Sequence, residues 1–164
     1  MMAGAGKPRR LVEAGLLAGA AQVVAGVAMY VAGVYFAPWS MVISVAVLLL
    51  FIVLGVRRYR DTCLDGQITY VQALSAGIFI SVSTGVVYAL YNVVSISFFY
   101  PHFLDDMVRA RIAQDVAHNR IPESFASLRA QVSVSGIAIP NLIRLSVIGS
   151  ILSLVSSWFL RTRQ

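Results

Sequence analysis

Long apolar runs separated by short polar segments set the pattern of this sequence. A helix needs about 20 consecutive apolar residues to cross the hydrocarbon core of a bilayer, and four runs reach or approach that length. They cover residues 11–36, 39–56, 73–100 and 137–160. This pattern predicts an all-α membrane protein, a single domain with four transmembrane helices arranged as two hairpins.

The segment between the third and fourth runs, residues 101–136, has a different pattern. Its first half repeats an apolar side chain every four residues, as in an amphipathic helix that begins near Pro101. The repeating residues are Leu104, Val108, Ile112 and Val116. Ile121 and Pro122 interrupt this helix, and a second helical stretch leads to the last run. We expect the segment to lie on the outer interface or over the mouth of the bundle, although its apolar face could also dock a partner helix.

Composition and charge support the membrane assignment and orient the chain. Only 12% of the 164 residues are charged and 59% are hydrophobic, whereas a soluble domain carries about 25% charged residues. The net charge of +6 does not indicate nucleic-acid binding, because the basic residues flank apolar runs instead of sharing one surface. Eight of the 13 fall on one side of a four-span chain, namely Lys7, Arg9, Arg10, Arg57, Arg58, Arg60, Arg161 and Arg163. The positive-inside rule therefore predicts that both termini and the 57–72 segment are cytoplasmic.

Small residues repeat along three of the four runs. In lipid, helices associate largely where small residues let two backbones approach closely. The repeats comprise Gly19, Gly26 and Gly33 in the first run, Gly77, Ser81, Gly85 and Ala89 in the third, and Ser146, Gly149, Ser150, Ser153 and Ser157 in the fourth. We expect a compact bundle in which the second helix faces lipid most. The same stripes could instead form a homodimer face.

Arg144 is the one ionisable residue well inside a run, which makes it a candidate functional residue. If the fourth helix begins at Pro140, Arg144 lies about one turn from the outer boundary and can extend toward the headgroups. If the helix begins near Val132, Arg144 lies deeper and needs a partner. Tyr88, Tyr91 and Asn92 of the third run fall at a similar depth and can accept hydrogen bonds. These four residues are our candidate binding residues, and structural pairing and substrate contact both remain open.

The sequence offers little for catalysis or metal binding. The best metal candidates lie in the outer segment, and they are His102, Asp105, Asp106 and His118. Their spacing matches no tight ligand pattern, and carboxylates also favour the start of a helix. Cys63 is the only cysteine, which excludes an internal disulfide. Phosphate-binding, zinc-protease and serine-hydrolase motifs are absent. We therefore predict that the protein is not an enzyme and has no metal site and no cofactor.

The polar segment between the second and third runs carries a distinctive motif. It reads Gly-Val-Arg-Arg-Tyr-Arg-Asp over residues 55–61, followed by Gly66-x-Ile68-x-Tyr70-x-x-Ala-Leu. Together with Phe-Tyr-Pro-x-Phe-x-Asp over residues 99–105, it resembles the signature of a small bacterial integral membrane family known as domain of unknown function 4199. Departures from the family pattern are Asp65-Gly66 for paired glycines, Tyr70 for Phe, and His102 where Asp is common. The resemblance implies a four-span protein of the bacterial cytoplasmic (inner) membrane, and it brings no assigned activity or binding residue.

The cytoplasmic part of this motif has two interpretations. It comprises Arg57, Arg58, Tyr59, Arg60, Asp61 and Gly66. The arginines would hold the second helix against anionic headgroups at about 1 kcal/mol each, and Asp65-Gly66 suits a tight turn. In the alternative interpretation, the charges and the ring bind a ligand at the membrane surface.

The sequence therefore predicts a non-enzymatic subunit, scaffold or modulator that acts through helix association. Its partners would be the lipid bilayer and either a second copy or another membrane protein, without nucleic acid. The alternative is a small oligomeric transporter or channel, with Arg144, Asn92, Tyr88 and Gln22 lining the path, or a lipid-handling membrane protein.

Overall fold

The computed structural model describes residues 6–37, 39–100 and 102–160, with side chains from residue 9 onward. All regular secondary structure in these ranges is helical. The helices are α1 (Gly6–Val31), α2 (Ser40–Cys63), α3 (Tyr70–Val94) with a π-helical continuation (Ser95–Phe99), α4 (Phe103–Ala117), α5 (Phe125–Gln131) and α6 (Val134–Leu160). Four stretches are long and apolar enough to cross a membrane, namely Arg9–Val31, Ser40–Cys63, Tyr70–Phe99 and Val134–Leu160. The predicted all-α fold with four membrane-spanning helices is confirmed.

The connection between α2 and α3 is shorter than predicted. α2 continues to Cys63, so the motif residues at 57–61 form the last turns of a helix and not a loop. The reason is that arginine is a good helix former, so its charge marks the membrane boundary without ending the helix. The chain turns at Asp65 and Gly66, where the sequence predicted a tight turn, and the φ angles there are 50° and 79°. A capping box between Thr69 and Gln72 then starts α3.

The other boundaries shift as well. α1 ends at Val31 and not at residue 36, because the chain turns at Gly33, where φ is +70° and glycine is favoured. α6 begins at Val134, with Pro140 inside the helix. The second of the two alternatives for Arg144 is therefore the observed one, and this residue lies deeper in the helix than a start at Pro140 would place it.

Helix α3 is the centre of the bundle. It packs most extensively against α6 and α1, and 44% of its apolar stretch is buried, compared with 17% for α2. The expectation that the second helix is the most exposed of the four is thus confirmed. The glycines explain the close contacts, since a Cβ on Gly77 would overlap Ser153 and a Cβ on Gly149 would overlap Ser81. These two stripes therefore pack α3 against α6 within one chain.

Buried hydroxyls in this contact are satisfied within their own helices. Ser81 Oγ donates to the Gly77 carbonyl at 2.8 Å, and Ser153 Oγ donates to the Gly149 carbonyl at 2.7 Å. Each serine therefore presents a small surface without an unpaired donor, which a membrane interior requires. The serine-rich fourth run is accounted for by helix packing.

One end of the bundle, which we call the aromatic end, is formed by Tyr30, Tyr35, Phe36, Tyr100 and Phe103. The ring centroids of Tyr30 and Tyr100 are 5.1 Å apart, and those of Tyr35 and Phe103 are 5.5 Å apart. Such ring pairs contribute about 0.5–1.5 kcal/mol each beyond their buried area. The cluster joins the α1–α2 connection to the end of α3 and the start of α4.

Helix α4 lies over the aromatic end. Its first turns are buried at Leu104 and Val108, whereas Val116 is 57% exposed, so the predicted apolar stripe packs only in part. The Tyr30 hydroxyl donates to the Asp106 carboxylate at 2.8 Å. Helix α4 of the predicted outer segment thus lies over the mouth of the bundle, which is one of the two predicted placements. Pro101, near which the helix was predicted to begin, lies outside the described residues.

The opposite end, which we call the basic end, carries Arg9, Arg10, Arg57, Arg58 and Arg60. Arg9 and Arg10 both contact Glu13, at 3.1 and 3.3 Å. Arg60 contacts Asp61 at 2.8 Å. These pairs are at least partly exposed, so each contributes little to stability.

Candidate ligand-binding cleft

A cleft of about 320 Å³ opens at the aromatic end between α1, α2 and α6, below α4. We call it the Arg144 cleft. Its polar lining includes Gln22, Tyr35, Ser44, Tyr88 and Arg144, and its apolar lining includes Met29, Met41, Phe103, Met107 and Ile137. At 1.5 Å per residue, Arg144 lies about 15 Å along α6 from Val134. The cleft therefore extends well into the spanning region.

Arg144 has an unusual environment for an arginine in a spanning helix. Its side chain is exposed and lines the cleft. Within the described ranges it forms no salt bridge, since the ion pairs there join other residues. A guanidinium carries five N–H donors and stays charged. Its charge in the cleft is therefore available to an anionic group from outside the chain.

Gln22 of α1 and Ser44 of α2 form the wall of the cleft opposite Arg144. Gln22 is only 2% exposed. Its Nε2 donates to the Ser44 carbonyl at 2.7 Å, and Ser44 Oγ donates to Gln22 Oε1 at 3.1 Å. This reciprocal pair locks α1 to α2 where an unpaired amide would be costly. Sequence reasoning included Gln22 but missed Ser44, because one serine in an apolar run has no periodic signal.

Next to the cleft lies a small tyrosine-lined chamber of about 20 Å³, which is space for about one water molecule. Tyr35 and Tyr88 line both spaces, and their hydroxyl oxygens are 3.4 Å apart. Asn92 lines the chamber, is 4% exposed, and its Nδ2 has no hydrogen-bond partner in the described part of the chain. Tyr91 also lines the chamber, with its ring centroid 6.0 Å from that of Tyr88.

The structure thus brings the predicted binding residues into two adjoining spaces. Arg144 and Tyr88 lie in the cleft, Tyr91 and Asn92 lie in the chamber, and Tyr88 joins the two. The sequence placed all four at similar depth. It gave no indication that Tyr35, which lies 53 positions before Tyr88, joins Tyr88 in forming the wall between the cleft and the chamber.

The motif residues lie elsewhere. Arg57, Arg58, Tyr59, Arg60 and Asp61 end α2 at the basic end, and Gly66 lies in the following turn. Of these, Arg58 and Tyr59 line a second, separate cleft. None of the six lines the Arg144 cleft.

The predicted metal candidates are dispersed. His102 precedes α4 and His118 follows it, so the two rings stand at opposite ends of a helix of 15 residues. Asp105 pairs with Arg129 at 2.6 Å, and Asp106 accepts from Tyr30. In the described ranges, no three His, Cys, Asp or Glu side chains come together.

Comparison with known proteins gives a family and no function. No curated protein and no solved structure matches the chain. The model of the family described as "Protein of unknown function (DUF4199)" matches residues 13–162. The Gly-Val-Arg-Arg-Tyr-Arg-Asp motif, the four spanning helices and this match over nearly the whole chain agree, and the protein is a member of the DUF4199 family.

Proposed function

We propose that this multi-pass membrane protein is a non-enzymatic binding protein for an anionic amphiphile, held in the Arg144 cleft. The observation that carries the proposal is an arginine about 15 Å along a spanning helix that lines a cleft of about 320 Å³ and has no salt bridge in the described ranges. An ionisable residue in a span is a functional candidate by default, because leaving it unpaired in lipid is costly. This refines the lipid-handling alternative from the sequence.

The lining suits a ligand with a charged head and an apolar chain. A phosphate or carboxylate can accept two parallel hydrogen bonds from the Arg144 guanidinium. Met29, Met41 and Ile137 offer an apolar surface beside it, and methionine adapts to chains of different shape. Phe103 and Met107 belong to α4 and line the same space. Helix α4 therefore closes one side of the cleft and limits how far a ligand can extend on that side.

The test is to identify the lipids that stay bound during purification, by native mass spectrometry of wild type, Arg144→Gln and Arg109→Gln. Arg109 is exposed on α4 and lines no part of the cleft, so its loss is a charge-matched control. We expect Arg144→Gln to weaken the binding of one anionic lipid per protein by about ten- to 100-fold, as losing one charged hydrogen bond of about 1.5–3 kcal/mol requires. Equal retention in the two variants would refute the proposal.

A second candidate function keeps the association hypothesis. A groove of about 510 Å³ runs between α4 and α5, with an apolar base that includes Val108 and Leu128 and a rim that includes Arg111 and Glu123. This composition resembles a protein interface, with an apolar centre and a polar rim. An amphipathic helix of a membrane-protein partner would fit it. If Leu128→Glu leaves the set of crosslinked partners unchanged, this candidate fails.

We also propose that the basic end is cytoplasmic, in a bacterial inner membrane with both termini on that side, on the strength of the positive-inside pattern. The only cysteine, Cys63, ends α2 at the basic end and reports the orientation directly. A membrane-impermeant maleimide should label Cys63 in inverted vesicles and not in intact cells. The reverse labelling pattern would invert the topology.

A further inference from the structure

The cleft at the basic end has the form of a second binding site. It has a volume of about 190 Å³ and lies between the start of α1 and the end of α2. Both helices contribute residues at helical spacing, from Arg10 to Leu17 on α1 and from Phe51 to Arg58 on α2. The cleft therefore runs along two helices, from the charged boundary about 10 Å into the apolar span.

The deep part of this cleft is apolar. Leu17 and Leu54 are 54% and 49% exposed, and both line the space together with Phe51. Between them the floor is formed by Ala14 and Gly55, and a Cβ on Gly55 would lie 3.1 Å from that of Ala14. Two small residues thus keep the groove open between the exposed leucines.

The rim has the opposite character. Arg10 and Arg58 line it from the two helices, beside Tyr59. Arg10 shares Glu13 with Arg9, whereas Arg58 has no salt bridge with the described residues. Glu13 also lines the cleft, so its rim holds two arginines and one glutamate and carries a net positive charge, to which the adjacent Arg9 adds.

We propose that the basic-end cleft binds one anionic glycerophospholipid of the adjacent leaflet. The lipid phosphate would lie between Arg10 and Arg58, and an acyl chain would follow Leu17 and Leu54. Arginine suits this role because its planar fork matches a phosphate, and the apolar floor favours a lipid over a free phosphate. The site is separate from the Arg144 cleft and does not depend on the function proposed for it.

The test uses delipidated Arg144→Gln protein, so that lipid bound at the other end does not contribute. Phosphatidylglycerol and phosphatidylcholine with identical chains are titrated separately, and bound lipid is counted by native mass spectrometry. Arg58→Gln is compared with Arg57→Gln, its neighbour in the same helix, which carries the same charge but does not line the cleft.

We expect one phosphatidylglycerol to bind in preference to phosphatidylcholine. Arg58→Gln should weaken this binding about tenfold and Arg57→Gln less than twofold. Equal effects of the two variants would show attraction by the charge of the whole end and overturn the proposal. Equal binding of the two lipids would also overturn it, as would full competition by glycerol phosphate, which would point to a free phosphate ligand.

Discussion

The two ends of the bundle hold arginine in different ways. At the basic end, Arg9 and Arg10 share Glu13, and Arg60 contacts Asp61, all at a boundary where the positive-inside pattern is found. At the aromatic end, Arg144 lies in a cleft along a spanning helix and has no salt bridge in the described ranges. The basic-end arginines lie where water and headgroups are available, as do the paired Arg111 and Arg129 of α4 and α5. Arg144 differs from both groups because it lies well inside a span.

This difference separates charges at a membrane boundary, which orient the chain and lie within reach of lipid headgroups, from a charge kept inside a span. An arginine at a boundary can be replaced at small cost, since solvent and neighbours compensate. An arginine inside a span is retained against a cost of about 2.5 kcal/mol or more at the centre. The aromatic end is also covered by the first turns of α4. The first prediction below concerns the contact of α3 and α6, which connects the two ends. The later predictions concern each end separately.

The largest effect on stability is expected at the contact of α3 and α6. Gly149→Ala adds a methyl group that overlaps Ser81, so the free energy of unfolding should fall by about 1–3 kcal/mol. Ala46→Val is the control, since Ala46 is exposed on α2 and should change stability by less than about 0.5 kcal/mol. Thermal unfolding in detergent measures both, and equal shifts would contradict the tight contact.

Arg144→Leu should have an effect whose sign depends on the ligand. Without lipid, removal of an unpaired charge from the cleft should stabilise the protein by about 1–2 kcal/mol. With anionic lipid at about 100 times the dissociation constant, wild type should gain about 2.7 kcal/mol and become the more stable protein. If Arg144→Leu destabilises the lipid-free protein, Arg144 has a structural role instead.

Asp106→Ala tests the contact of α4 with the aromatic end. It removes the acceptor of the Tyr30 hydroxyl, and a hydrogen bond to a charged group at this part-buried site is worth about 1.5 kcal/mol. Tyr30→Phe should cost a similar amount, and the double variant should cost little more than either single one, because both remove the same bond. Additive costs would mean that the two side chains act independently.

The smallest effect is expected at the basic end. Arg60→Gln removes an exposed pair with Asp61 and should lower stability by no more than about 0.5 kcal/mol. It should shift the fraction of correctly oriented protein more than it shifts the unfolding temperature. A large loss of stability would show that this end is packed and not only oriented by its charges.

The four spans could be predicted from sequence because the hydropathy that identifies each of them is summed over about 20 residues. The end of α2 could not, since residues 57–61 change charge without changing helix propensity. The true stop depends on two positive φ angles, at Asp65 and Gly66. The sequence predicted the turn at these two residues. It did not predict that α2 would continue to Cys63 before the turn.

The candidate cleft was predictable only in part. Arg144 stood out as a charge in an apolar run, but its depth depended on whether Pro140 begins α6 or lies inside it. Proline is favoured at the first position of a helix, but spanning helices also tolerate it in their interior, and Pro140 is the seventh residue of α6. The contacts of Tyr35 with Tyr88 and of Gln22 with Ser44 join separate helices. Such pairs are set by the packing of the bundle and leave no local pattern.

The most informative measurement is photocrosslinking with an anionic lipid that carries a diazirine beside its phosphate, followed by peptide mapping. Apart from labelling at the basic-end cleft, labelling should concentrate on peptides that contain Met29, Met41 and Ile137, which line the Arg144 cleft. Arg144→Gln should remove the labelling of these three peptides. Labelling spread evenly over the exposed faces of the four spans, and unchanged by Arg144→Gln, would contradict a binding cleft at the aromatic end.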